Sequence, residues 1–203
     1  MDSGGASFGT DRLVGKVLDG KYRIVRLIGE GGMGSVFEAE HQLLHTRVAI
    51  KIVAPEYGRD ATAIERLQRE AMAAAKVGHE NICGMIDLGR TPAGLPFIVM
   101  ELLHGRSLTA AMAETKPFPI PRAIDIATQV LEALSAAHGA GVVHRDIKPD
   151  NIFLTRVAGR DDFAKLLDFG ISKVRAGADE RRAKLTRDGS VLGTPEYMSP
   201  EQA

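Results

Sequence analysis

The densest concentration of reactive side chains in this chain is the run His144-Arg145-Asp146-Ile147-Lys148-Pro149-Asp150-Asn151. It offers a carboxylate able to accept a proton (Asp146), an ammonium able to meet a phosphate (Lys148) and an amide oxygen suited to a hard cation (Asn151). Phosphoryl transfer needs these things: an oriented, deprotonated hydroxyl, neutralised charge on the terminal phosphate, and magnesium held by oxygens. The run lies between apolar Gly141-Val142-Val143 and Ile152-Phe153-Leu154. Both are expected to be buried strands, and charged groups held between such strands are costly unless they serve a purpose. Asp168 ends the apolar run Leu166-Leu167 and offers a second oxygen ligand, while Gly170 frees the chain to turn.

A second set lies earlier. Lys51 closes the apolar run Val48-Ala49-Ile50, where an ammonium needs an anionic partner. Glu70 can supply one. It falls three residues after Leu67 and four before Ala74, on the apolar face of a predicted helix. Together they would leave the ammonium able to grip phosphate oxygens. Gly29-Glu30-Gly31-Gly32-Met33-Gly34 allows close backbone approach to a phosphate, although an ordinary hairpin turn has the same composition. The sequence after it, Ser35-Val36-Phe37-Glu38-Ala39, continues as a strand. A dinucleotide-binding turn would lead into a helix, and no Gly-Lys-Ser/Thr is present, so neither a dinucleotide fold nor a Walker loop fits.

The elements that must position these groups follow from periodicity. Strands are predicted at Tyr22–Ile28, Ser35–Glu40, Arg47–Val53, Cys83–Leu88 and Phe97–Glu101. A helix is predicted over 61–77, with Ile64, Leu67, Ala71, Ala74 and Val77 on one face. After a hinge near Leu102–Gly105 the pattern turns helical, with a strong helix over 122–138. Ala123, Ala127, Val130, Leu134 and Ala137 form its expected buried stripe, with Ile124 and Leu131 beside it. The expectation is an α+β fold in two lobes: a flexible tail over 1–20, a β-rich lobe with one main helix over 21–103, and a helical lobe from 104 to 203.

Composition sets outer bounds. With 203 residues, 44% of them hydrophobic, a sizeable core can form. Basic and acidic residues balance at 26 each, so no overall field draws nucleic acid or anionic lipid. Cys83, the single cysteine, excludes an internal disulfide, suits a reducing cytoplasm, and reads as core packing. The longest apolar region, 123–143, is broken by Asp125, Gln129, Glu132 and His138, so no membrane span is expected.

Taken together, and in the same order from Gly29 to Glu201, these motifs resemble the eukaryotic-type (Hanks-type) serine/threonine protein kinase family. The phrases Glu-Gly-Gly-Met-Gly, Ile-Lys-Pro-Asp-Asn-Ile and Tyr-Met-Ser-Pro-Glu-Gln-Ala resemble bacterial members. The resemblance implies that Gly29, Gly31 and Gly34 cover the phosphates of ATP, and that Lys51, positioned by Glu70, holds two of them. It implies Asp146 as catalytic base, with Asn151 and Asp168 binding Mg²⁺, for which Mn²⁺ is a substitute. Ile28, Val36, Ala49 and Phe153 would sandwich adenine. Met100 would be the gatekeeper, and the backbones of Glu101 and Leu103 would bond the adenine edge. Ala74, Met85, His144 and Phe169 match a stacked internal spine.

The position of Lys148 and the Gly193-Thr194-Pro195 turn resemble kinases that act on serine and threonine, which makes protein hydroxyls the expected acceptors. Arg145 and Lys173 match a basic pair that receives an activation-segment phosphate, with Thr186 favoured over Ser190 as the phosphorylated residue. The family's domain continues with further helices after the motif matching Ser199-Pro200-Glu201. The resemblance therefore implies an incomplete second lobe and an apolar surface, on helix 122–138, to be covered by self-association or by a partner. Two function classes follow: an active protein kinase, or a non-catalytic nucleotide-binding fragment. The substrate and the upstream signal are not legible.

Overall fold

The computed structural model describes residues 13–31, 34–55, 61–169 and 195–198; within the helix at 61–75, the side chains of 61–63, 66, 67 and 70 are not described. The chain divides into two compact units. One consists of the strands up to Val53 together with residues 86–102. The other consists of the helix at 61–75 and the residues after it to Met85, together with the described residues from Leu103 on.

The first unit is a sheet of six strands: β1 (Val17–Leu18), β2 (Tyr22–Gly31), β3 (Gly34–His41), β4 (Arg47–Val53), β5 (Met85–Arg90) and β6 (Pro96–Glu101), in the order β1-β2-β3-β4-β6-β5. Alternation decides which side chains are buried, because successive residues point to opposite faces of a strand. Phe37, Ile50 and Val99 lie opposite one another across β3, β4 and β6 and are fully buried. With Ile24, Ala39, Val48, Ile52 and Phe97 they form one apolar cluster, closed at its edge by Leu18 and Tyr22.

Among its described residues the second unit holds three α-helices, α1 (Ala61–Ala75), α2 (Leu108–Glu114) and α3 (Ile120–Gly139), and a three-stranded sheet. Its strands are β7 (Gly105–Ser107), β8 (Ile152–Val157) and β9 (Arg160–Leu166), in that order. The Ser107 side chain caps α2 by accepting from the Ala110 amide at 3.2 Å. Gly141, with φ at +74°, ends α3: its amide donates to the His138 carbonyl and the next amide reaches back to that of Ala137. Ala74 of α1, Ile126, Val130, Ala133 and Ala137 of α3, and Leu154, Ala164 and Leu166 of the sheet share one core.

Helix α1 follows the first strands in sequence, and its Ala74 packs in the core of the second unit. Other expectations are corrected. Gly141-Val142-Val143 forms no strand, and Val143 is 52% exposed; the hydrogen bonds that end α3 consume the backbone there. On α3 the buried row is Ile126, Gln129, Val130, Ala133 and Ala137, while Ala123 and Ala127 are exposed. Val130, Leu134 and Ala137 of the expected stripe do pack in the core; the stripe departs only at its N-terminal end, where Ile126 and Gln129 are buried in place of Ala123 and Ala127. Ile120, Ile124 and Leu131 are left exposed. Cys83 is half-buried, its amide tied to the Leu166 carbonyl at 3.0 Å. Strands β1 and β7 are not among the predicted elements, and β1 lies within the expected tail; α2 falls in the stretch expected to be helical, and β9 ends in the apolar run expected before Asp168.

Candidate active site

In the first unit, strand register brings the expected nucleotide-binding residues onto one face. Directly paired residues of an antiparallel sheet point to the same side, as do residues two apart on one strand. Val36 pairs with Lys51, Lys51 with Ile98, and Ala49 with Met100. Val36, Ala49, Lys51 and Met100 therefore share the face opposite the Phe37–Ile50–Val99 core. Lys51 retains 6% of its exposure and Ala49 5%. The same face ends in charge: Glu38, opposite Ala49, meets Arg26 at 2.7 Å and Arg47 at 3.3 Å. Ile28 sits at an irregularity between β2 and β3 and is 39% exposed. Glu101 is the last residue of β6.

The glycines separate into two kinds. At Gly34, with φ at +140°, a Cβ would overlap the Ile52 carbonyl oxygen, so the chain's own packing requires glycine there. At Gly29 a Cβ would make only an ordinary 3.8 Å contact with Val36, and at Gly31 it would meet nothing within 4 Å. Internal packing does not account for these two.

In the second unit the reactive run forms a loop after α3 that ends in a 3-10 turn at Pro149–Asn151. The Asn151 side-chain amide donates to the Asp146 carbonyl oxygen at 2.7 Å and to Asp146 Oδ2 at 3.0 Å. Lys148 Nζ meets the same Oδ2 at 3.3 Å. One carboxylate oxygen is thus fixed by two donors, and Oδ1 is engaged by neither. Thr109 of α2 donates to Asp150 at 2.8 Å and ties the turn to that helix.

His144 joins this loop to the segment that carries Asp168. It is 1% exposed, and its ring stands edge-on to Phe169 with centroids 4.6 Å apart. The Leu167 carbonyl, 2.7 Å from Nε2, can only accept, so the proton belongs on Nε2. Nδ1 then accepts from the Asp146 amide at 3.3 Å. Burial pushes the imidazole below its ordinary 6.5, against the upward pull of the Leu167 carbonyl and of Asp168 and Asp146. The neutral ring is therefore the form that both contacts need. The Leu167 amide donates to the Asn151 carbonyl at 2.8 Å, a second tie between the two segments. Arg145 (φ +71°) and Asp168 (φ +62°) both adopt the left-handed region, which non-glycine residues occupy at a cost and mostly at functional sites.

Of the other expected residues, Leu103 and Phe153 belong to the second unit, and Phe153 is half-buried on β8. Of the expected spine, Ala74 and Phe169 share the second unit's core, while Met85 begins β5. The side chain of Glu70, and all of Lys173, Thr186, Ser190 and Thr194, lie outside the described residues. Sequence reasoning missed Asn81 and Gln129, whose buried side-chain amides bond each other at 3.1 Å. The available signal was a glutamine among Ile126, Val130 and Ala133 at helical spacing; it was read only as a break in an apolar run.

Residues 22–203 match the family model for the protein kinase domain. The chain belongs to the protein kinase family. Among curated relatives, serine/threonine-protein kinase pkn3 of Myxococcus xanthus is 46% identical over 194 residues, which cover 96% of this chain and 35% of that protein. Serine/threonine-protein kinase PknH of Mycobacterium tuberculosis is 42% identical over 192 residues, covering 95% and 29%. The chain therefore spans about a third of the length of these curated relatives. Among solved structures, the M. tuberculosis PknI kinase domain is 32% identical with a TM-score of 0.68, covering 81% of this chain and 67% of that one. The expected α+β kinase fold and the resemblance to bacterial members both hold.

Proposed function

We propose that this chain is the catalytic core of an ATP-dependent serine/threonine protein kinase. The observation that carries the reading is Asp146, its carboxylate held on one oxygen by Asn151 and Lys148 and its backbone amide tied through His144 to the Leu167–Phe169 segment. The acceptor hydroxyl attacks the γ-phosphorus, the bond to the ADP oxygen breaks, and the hydroxyl proton passes to Asp146. Lys148 stands close enough to Asp146 to serve the transferred phosphate. Val36, Ala49 and Met100 offer a surface for adenine, and Lys51, on the same face, offers a charge for phosphate.

The residues fit a divalent cation. Both Asn151 amide hydrogens can be spent on Asp146, which reserves the side-chain oxygen for a metal, and Asp168 follows the residue whose amide bonds Asn151. Asn151 and Asp168 would hold Mg²⁺ or Mn²⁺, which when bound neutralises phosphate charge. Gly29 and Gly31, unexplained by the chain's own packing, suit close approach of a phosphate.

The finer parts of the reading are an activation-segment phosphate on Thr186 or Ser190 received by Arg145 and Lys173, protein substrates, and a cytoplasmic location. Among the described residues no helix is long and apolar enough to cross a membrane. The exposed Ile120, Ile124 and Leu131 mark where self-association or a partner would cover α3.

The test incubates the full chain with Mg²⁺ and γ-labelled ATP beside Asp146→Asn, with phosphosites mapped by mass spectrometry. Label on Thr186 or Ser190 is expected in the parent, with a rate lower by about 10²–10⁴ in the variant. A folded parent that transfers no label would leave a nucleotide-binding module without catalysis.

A further inference from the structure

The strand that leads to Asp168 has one edge paired with β8 and another edge shared between two side chains, at Ala164, and the 81–83 backbone, which bridges to Leu166. On β9, Ala164 and Leu166 lie opposite Leu154 and Ile152. The backbone groups of both residues are satisfied on the other side. The Ala164 amide donates to Gln129 Oε1 at 2.9 Å, and its carbonyl accepts from Asn81 Nδ2 at 2.8 Å. The Leu166 amide donates to the Asn81 carbonyl at 2.8 Å, and its carbonyl accepts from the Cys83 amide at 3.0 Å. Without these partners, four backbone groups of a buried strand edge would be orphaned.

Gln129 spends its whole side-chain amide here. Its oxygen accepts from Asn81 and Ala164; its nitrogen donates to Asp125 Oδ2 at 3.0 Å and to the Asp162 carbonyl at 3.1 Å. It retains 3% of its exposure, as does Asn81. The same helix face continues the match with β9: Arg122 makes a two-pronged pair with Asp162 at 2.7 and 2.8 Å, and Asp125 meets Arg160 at 2.8 Å. A leucine at 129 would satisfy burial but leave the Ala164 amide unpaired. A one-residue slip of β9 would turn its outward groups to the other edge and shift the strand's end by about 3.4 Å.

We infer that Gln129 and Asn81 are positioning residues for the phosphotransfer site: their paired buried amides fix the register of β9 and so the place of Asp168 in its left-handed backbone. Neither touches nucleotide or the reacting atoms. The kinetic consequence rests on the kinase reading above, whereas the structural consequence does not.

The test compares Gln129→Met, which keeps size and loses every hydrogen bond, with Val130→Ala, which weakens the same helix without touching the clamp. In the full chain, well below both melting temperatures, Gln129→Met should lower kcat about tenfold and raise the Mg²⁺ concentration for half-maximal rate by a similar factor. Amide exchange at Ala164 and Leu166 should accelerate in it. Val130→Ala should lose thermal stability with kcat and that protection near the parent's. Loss of kcat and protection in both variants in proportion to stability, or retention of both in Gln129→Met, overturns the inference. If Gln129→Met does not fold, Asn81→Ala is read by the same criteria. If the parent transfers no phosphate, the proposed function falls, and exchange at Ala164 and Leu166 alone decides the clamp.

Discussion

The two units place their candidate functional residues by different means. In the first, Val36, Ala49, Lys51 and Met100 reach one face because strands alternate and β3, β4 and β6 are in register. Each residue needs only its own strand and its nearest neighbours. In the second, Asp146, Asn151 and Asp168 lie in irregular backbone, held by side chains distant in sequence. His144 spans to Leu167, and Asn81 and Gln129 reach Ala164. A sheet positions by repetition and tolerates change wherever the alternation survives. A loop positions through particular hydrogen bonds and fails when one is lost.

Gly34 tests the first half of that contrast most severely. Gly34→Ala puts a Cβ against the Ile52 carbonyl in a backbone conformation that disfavours side chains, and should cost about 3 kcal/mol in urea unfolding. Gly31→Ala meets nothing and should leave stability within about 1 kcal/mol, its effect falling on the KM for ATP. Equal destabilisation by the two would break the division between a glycine the chain needs and one that a ligand needs.

The second half is tested by pH. The folded state holds His144 below its ordinary 6.5, so the unfolded chain binds the extra proton first. The stability owed to the neutral ring is intact above about pH 6.5 and is lost as pH falls towards the folded value, by at most about 1.4 kcal/mol per pH unit. Acidification also places a second N–H against the Asp146 amide. Circular-dichroism unfolding at stepped pH should show this slope in the parent and a weaker one in His144→Asn. An unchanged slope would show that the acid-side loss of stability does not come from protonation of this histidine.

The smallest effect belongs to a side-chain bond on the sheet. Tyr22 donates to Asp87 at 2.9 Å, and burial, then Asp87, pushes its phenol up to about 12. The contribution of the protonated phenol is present below pH 10 and is lost between about 10 and 12. Tyr22→Phe should cost about 1 kcal/mol at neutral pH and remove that alkaline loss, leaving the sheet's register intact. A variant that disturbed nucleotide binding would mean that the sheet also depends on single contacts.

Legibility followed the same line. The strands at Tyr22, Ser35, Arg47 and Phe97 were readable because alternation is local, and the helices over 61–77 and 122–138 because apolar spacing is. Asp146, Lys148, Asn151 and Asp168 stood out because charge between apolar runs is costly. On the helix over 122–138, Val130, Leu134 and Ala137 were legible as core, but Ala123 and Ala127 stood in for Ile126 and Gln129, because a glutamine reads as an interruption of an apolar run. Only the partners of Gln129 reverse that, and they lie 48 residues before it and 35 after it. Val142 and Val143 looked like strand because apolar content alone cannot tell a strand from the extended exit of a helix.

Neighbouring residues alone carried the family, most of the order of elements and the groups able to do chemistry, because composition and spacing are local properties. Tertiary structure decided which tautomer His144 adopts, which oxygen of Asp146 is held, which glycine the chain itself needs, and how β9 is registered. Those depend on hydrogen bonds between segments far apart in the chain, whose geometry exists only once the fold has closed around them.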